Sequence, residues 1–125
     1  MRYMMMLHTD ENFTETDPPP KELFDRMGEL VAEMVKTGKL VSSGGLKHSS
    51  SGARVHVSKN GKTTVTDGPF AEAKEVVGGF AIIEASSKAE AIEHARRFME
   101  LHRDLRKGWE GVSEIREMKE DPPSP

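Results

Sequence analysis

The sequence predicts an α+β domain of the split βαβ kind, with a β-hairpin inserted between its halves. Three observations carry that expectation. Residues 2–8 and 76–85 are apolar at successive positions, as strands buried on both faces are. Two longer stretches repeat apolar residues at three- and four-residue spacing, as amphipathic helices do. Between them, "ARVHVSKNGKTTVT" alternates apolar and polar residues and turns at Asn-Gly. The chain has 125 residues, which suits one domain. A domain of this size buries about two thirds of its unfolded surface, so a single core holds it without staples.

The elements follow in order. In residues 2–8, Tyr3, Met5 and Leu7 point to one side, and Met4 and Met6 to the other. Residues 9–20 are polar and proline-rich and read as a loop. A helix follows, with Leu23, Phe24, Met27, Leu30, Val31, Met34 and Val35 as its stripe. Prolines precede it and Gly38 follows it, as helix punctuation requires. Residues 40–43 read as a strand, and Gly44-Gly45 as a bulge or bend. Residues 53–59 alternate, with Ala53, Val55 and Val57 inward and Arg54, His56 and Ser58 outward. Asn60-Gly61 is a strong hairpin signal, and residues 62–66 are the return strand.

Asp67-Gly68-Pro69 is a corner before the second two-faced strand, residues 76–85. Ser87 and Glu90 form a capping box, worth about 1 kcal/mol at the cap. The second helix carries Ala91, Ile92, Ala95, Phe98, Met99, Leu101 and Leu105 and ends near Gly108. Residues 112–118 are the last strand. The domain spans residues 1–119, and "EDPPSP", residues 120–125, is expected to be a frayed, disordered tail.

Removing the hairpin leaves βαββαβ, the ferredoxin-like pattern. Two helices cover one face of such a sheet, yet two of its strands are apolar on both. A second copy is the simplest cover for the other face, so a homodimer packed sheet to sheet is expected.

Composition narrows the chemistry. With no cysteine, disulfides, thiolate nucleophiles and zinc–thiolate sites are excluded. Net charge is −3, with both signs interspersed, so nucleic acid is not expected as a partner. The apolar run at residues 3–7 is too short for a signal peptide. No stretch approaches the roughly 18 apolar residues of a membrane span. A cytoplasmic protein with no membrane partner is expected.

"TDGPFAEAKEVVGGFAIIEASSKAEAIEHARR", residues 66–97, closely resembles the signature of the YCII-related, DGPF-type family. "HTDE" after the first strand, "GKLVSSGGL" and "EGVSEIREM" fit in the same order, so the resemblance covers residues 1–118. It implies a ferredoxin-like fold that dimerises into an α+β barrel. It implies little about activity, since most DGPF-type members are uncharacterised. Some are encoded beside extracytoplasmic-function sigma factors. The wider group is thought to use a His-Asp pair in a pocket and includes an enzyme that removes chloride from a chlorinated hydroxyquinone. This chain departs from the family pattern at His94, where Trp is frequent, at His8, where Tyr is common, and in "FMELHRDLRKGWEG".

Each candidate residue has a plain structural role beside a chemical one. In Asp67-Gly68-Pro69-Phe70, Asp accepts backbone hydrogen bonds, Gly and Pro set the turn, and Phe plugs the core. Alternatively, Asp67 is a general base or a partner of His8 at a pocket rim. His8 ends the first strand with Asp10 two residues on, and an imidazole there could move protons near neutral pH. His8 and Asp67 are therefore the catalytic candidates. Asp10, Phe70, Glu72, Lys74 and His102 are the substrate-binding candidates. Glu72, Lys74 and Glu75 are otherwise solvated charges.

His94 and His102 share a helix face but lie about 12 Å apart along the axis, too far to hold one metal together. His56 and His48 complete no ligand set, so no metal or cofactor is expected. Met4 to Met6 read as core, or as a thioether-lined pocket. The Gly pairs at 44–45 and 78–79 lack a phosphate-loop context. The expected function is a homodimer that binds a small organic molecule between sheet and helices, with acid–base capacity. The alternative is a non-catalytic module that binds a sigma factor or another regulator.

Overall fold

The structure, a computed structural model, describes residues 1–16, 18–72 and 76–120. In chain order it contains β1 (Arg2–Thr9), α1 (Glu11–Thr16), α2 (Lys21–Lys36), β2 (Leu40–Gly45), a 3-10 turn (Ser49–Ser51), β3 (Ala53–Val57), β4 (Thr63–Asp67), β5 (Val76–Glu84), α3 (Lys88–Leu105) and β6 (Gly111–Glu117). Four strands form one sheet in the order β2-β5-β1-β6, and β3 and β4 form a separate ribbon. Every neighbouring pair is antiparallel. With the ribbon set aside, this arrangement is compatible with a ferredoxin-like fold. No helix among the described residues is long and apolar enough to cross a membrane.

The two-faced strands are the sheet's centre. Met4 lies between Ile82 and Arg116, and Met6 between Phe80 and Glu114. On the helix-covered side, Tyr3 and Ile83 pack with Leu30 and Met34 of α2 and Ala91 of α3. Ile83 is fully buried, a contribution of roughly 1.5–3 kcal/mol. On the other side Met4, Met6, Phe80 and Ile82 are half-buried by one another.

Several expectations need correction. The stretch 9–20 is not all loop, because α1 begins at Glu11. Asp10 Oδ1 caps it, accepting from the amides of Asn12 at 3.0 Å and Phe13 at 3.4 Å. In α2, Leu23, Leu30 and Met34 are buried, but Phe24 and Val35 stay about 60% exposed. The core uses only part of the stripe.

Gly44 and Gly45 stay in the ladder, and the register shift falls between Leu40 and Ser42. A Cβ on Gly44 would lie 3.1 Å from the Phe80 ring, so glycine there makes room for the aromatic. A second shift, between Leu7 and His8, leaves Gly78 as the extra residue of β5.

Asn60-Gly61 is not a two-residue turn. The loop runs from Ser58 to Lys62, with Gly61 N–H donating to Ser58 O and Asn60 Oδ1 accepting from Lys62 N. Gly61 sits at φ +87°, which closes this longer loop. The inward face expected for Val55 and Val57 covers nothing within the chain. Val55, Val57 and Val65 are 63–68% exposed, because a two-stranded ribbon has no sheet behind it.

The capping box is half made. Ser87 Oγ accepts from Glu90 N, but the Glu90 carboxylate takes the Ser86 amide and hydroxyl and Lys39 Nζ. These partners, Lys39 foremost, pull Glu90 down to about 2. The expected frayed tail, beyond Glu120, lies outside the described residues.

Candidate functional site

The Asp67-Gly68-Pro69-Phe70 corner is docked onto the turn at Ser49. Gly68 N–H donates to Gly52 O at 2.9 Å. The Gly68–Pro69 peptide is cis. A Cβ on Gly68 would fall 1.7 Å from Ser49 O, so only glycine allows this approach. Phe70 N–H donates to Ser49 Oγ at 2.9 Å. Ser49 Oγ in turn donates to Glu11 Oε2 at 2.5 Å, and Ser49 N–H to Glu11 Oε1 at 2.7 Å.

Glu11 is buried at the base of this network. Burial alone would raise its carboxyl. The Ser49 hydroxyl and amide, with His48 nearby, overcome that and hold it below the usual range. His48 Nε2 lies 3.5 Å from Glu11 and 3.0 Å from Asn12 Oδ1. Arg54 closes the outside, stacking 3.8 Å over the Phe70 ring and pairing with Glu72 at 3.1 Å.

Asp67 ends β4 opposite Ala53 and is exposed. His8 lies in the other sheet, with Nε2 3.2 Å from Glu114. No hydrogen bond or ion pair joins Asp67 to His8 among the described residues. The two residues lie on strands of different sheets, although Ser49 links the corner to Glu11 just past the end of β1. Asp10 accompanies His8 along an open cleft of about 580 Å³ beside β6. Lys74 and Glu75 lie outside the described residues.

Two further hollows lie on the other side of the sheet. A cavity of about 380 Å³ runs between the sheet and helices α2 and α3, past Met5, Leu30, Met34 and Phe98. A second, of about 430 Å³, runs past Thr9, Glu11, His48, Arg106 and Trp109. Both are lined by Leu7, Met27, Gly78 and His102. The first is apolar; the second carries the charged groups. Their sizes suit a small organic molecule.

His102 stands at the junction. It is buried, with Phe98 at 4.6 Å and Trp109 at 4.5 Å between ring centroids. Nδ1 is 3.0 Å from Phe98 O, a carbonyl that can only accept, so Nδ1 holds the proton and Nε2 keeps its lone pair. Burial pushes the imidazole's pKa down, and the Arg106 charge adds to this against the Phe98 hydrogen bond. His102 is thus a neutral base at pH 7. Arg106, 6% exposed, caps α3 through its amide and places its guanidinium 5.1 Å from the Phe13 ring centroid. Beyond it, Gly111 leaves room for Trp109, whose ring a Cβ would meet at 2.6 Å.

Of the catalytic and substrate-binding candidates that the structure describes, only His102 lines these cavities; Met5 and His94 also line the first and His48 the second. Glu11, Ser49, Arg106 and Trp109 were missed. Glu11 carried a signal, since it follows a capping Asp. Arg106 carried none, because a buried arginine at a helix end looks like any solvated one. Among the described residues, no group of three or more His, Asp or Glu converges to hold a metal ion.

A family model described as the YCII-related domain matches residues 1–119. An uncharacterised protein of Rhizobium meliloti (strain 1021) is 32% identical over 98 residues, 77% of this chain and 78% of that protein.

Proposed function

The chain belongs to the YCII-related family, and from that premise we propose that it is a homodimer that binds a small organic molecule in the cavity between sheet and helices. The carrying observation is His102, a buried neutral imidazole at the meeting point of an apolar chamber and a charged one. A pocket of this kind holds an apolar body and meets a polar group with a base, which is the minimum for acid–base chemistry. The dimer reading is supported by the uncovered apolar face of Met4, Met6, Phe80 and Ile82. Closing two such faces on each other yields the barrel-like pair.

The test is thermal shift with a panel of small aromatic acids, phenols and lactones on wild type and His102→Phe, beside light scattering for mass. The proposal expects a dimer mass and at least one compound that stabilises wild type alone. A monomer at working concentration sinks the dimer; no stabilising compound sinks the pocket.

A second reading rests on the ribbon. Val55, Val57 and Val65 are exposed, and a module that binds a sigma factor or another regulator needs such a patch. Amide exchange of the ribbon in the dimer separates the two. Protection on dimerisation assigns the valines to the partner copy; continued exchange leaves them for a regulator.

A further inference from the structure

His102 is buried, yet one of its ring nitrogens stays open. Nδ1 takes the ring's hydrogen bond, to Phe98 O. Among the described residues, Nε2 is not one of the side-chain atoms that are both shut from solvent and unbonded. A water-sized molecule therefore reaches it, and the hollows that His102 borders are the two that meet at Leu7, Met27 and Gly78. The Nε2 lone pair lies in the ring plane. A ligand meets it at the ring's edge and not by stacking on the ring, which Phe98 and Trp109 already contact.

The chemistry of that one atom narrows what can bond it. With Nδ1–H committed to a carbonyl, Nε2 only accepts. A ketone, an ether or a carboxylate presents lone pairs to a lone pair and makes no bond. An ammonium can donate, but the Arg106 charge that opposes a proton on His102 also opposes a second cation beside it. A neutral O–H or N–H remains. The N–H of an amide brings a carbonyl with it, and that carbonyl loses its water in an apolar space. The space in question is the first hollow, about 380 Å³, which passes Met5, Leu30, Met34 and Phe98.

We propose that the ligand is an uncharged alcohol, with an apolar body seated in the first hollow and its hydroxyl donated to His102 Nε2. This rests on the pocket reading above and adds the ligand's chemical class and the atom that selects it. Selection is by direction of the hydrogen bond: a molecule of the same shape that can only accept is refused.

The probes are cyclohexanol, cyclohexanone, methoxycyclohexane and cyclohexylamine, which share one apolar body. Binding is followed by the methyl resonances of Met5 and Met34, by the fluorescence of Trp109, the chain's only tryptophan, and by the nitrogen-15 resonance of His102 Nε2. The proposal expects cyclohexanol to bind about tenfold tighter than the ketone and the ether, a difference of one hydrogen bond. It also expects the alcohol to move the Nε2 resonance and the ketone to leave it in place. His102→Phe should cost the alcohol about tenfold and leave the ketone unchanged. His102→Gln, whose amide offers both a donor and an acceptor, should bind alcohol and ketone alike. The wild-type ratio decides by itself where a variant does not fold. If the ketone, the ether or the ammonium binds as well as the alcohol, or the bound alcohol leaves Nε2 unmoved, the hydroxyl class is overturned and the pocket stands. If no probe moves a methyl resonance or the Trp109 fluorescence, the pocket reading fails, and this inference with it.

Discussion

The Asp-Gly-Pro-Phe corner and the C-terminal half of α3 use their polar residues in opposite ways. At the corner a chain of polar contacts is closed within the protein: Glu11 holds Ser49, Ser49 holds Phe70, and Arg54 holds Glu72. On α3, His94 makes no hydrogen bond among the described residues, and His102 commits only Nδ1. The most distinctive motif is scaffold, and the less distinctive helix carries the unspent chemistry. A motif can recur because a backbone path admits few residues, and Gly68 against Ser49 O is that case.

The contrast can be broken most forcefully at Gly68. Gly68→Ala should cost about 3 kcal/mol or more, because backbone must move to admit the methyl. Urea denaturation measures this, and a loss below 1 kcal/mol would refute the docked corner. Next comes Glu11→Ala, which strips the Ser49 amide and hydroxyl of their acceptor at a buried site. The expected loss is about 2 kcal/mol, with ligand binding reduced far less than by any change at His102.

His102→Phe should show the converse, stability within about 1 kcal/mol and probe binding weakened about tenfold or more. It also has a pH sign. Because its folded pKa is lowered, the unfolded chain takes up the proton first as pH falls. Stability is full above about pH 6.5 and declines below it, toward the folded value. The melting temperature of wild type should therefore drop more between pH 8 and pH 5.5 than that of His102→Phe.

Glu90 gives an acid window set by the same rule. Its carboxyl, held down to about 2 chiefly by Lys39, contributes stability that is full above about pH 4.5 and lost as pH falls toward 2. Glu90→Gln should flatten that part of the acid unfolding curve. The smallest effect belongs to Arg54–Glu72, an exposed, solvent-screened pair whose disruption by Glu72→Gln should leave the urea midpoint almost unchanged. A large loss of ligand binding in that variant would move the site back toward the corner and undo the contrast.

The strands and the two long helices of the main domain were legible because each carries its own period; the short α1 was not. Residues 2–8 and 76–85 announce burial on two faces, and Leu23, Leu30 and Met34 announce a helix that packs. The ribbon was legible as a hairpin, but its exposure was not, since alternation shows which valines share a face and nothing about what meets that face. At the site, His102 could be picked out as a titratable residue near a helix end. His94 could be placed on the same face by helix spacing alone. Their burial, the tautomer of His102 and the long 3.5 Å approach of His94 to Glu90 depend on Phe98, Glu90 and Lys39, which take up these positions only in the packed state. No bond joins His8 to Asp67 among the described residues, and the positions of two residues on separate strands carry no information on the distance between them.

The sequence by itself determined the order of elements, the two-sided apolar strands and the family to which the chain belongs. The first two follow from local periods and local turn chemistry, which act over a few residues; the family follows from the likeness of the DGPF stretch and its companion motifs. Only the tertiary structure decided that the corner is a dock, that two joined hollows lie between sheet and helices, and that His102 lines both of them. Those facts depend on distances between segments tens of residues apart, and packing alone sets such distances.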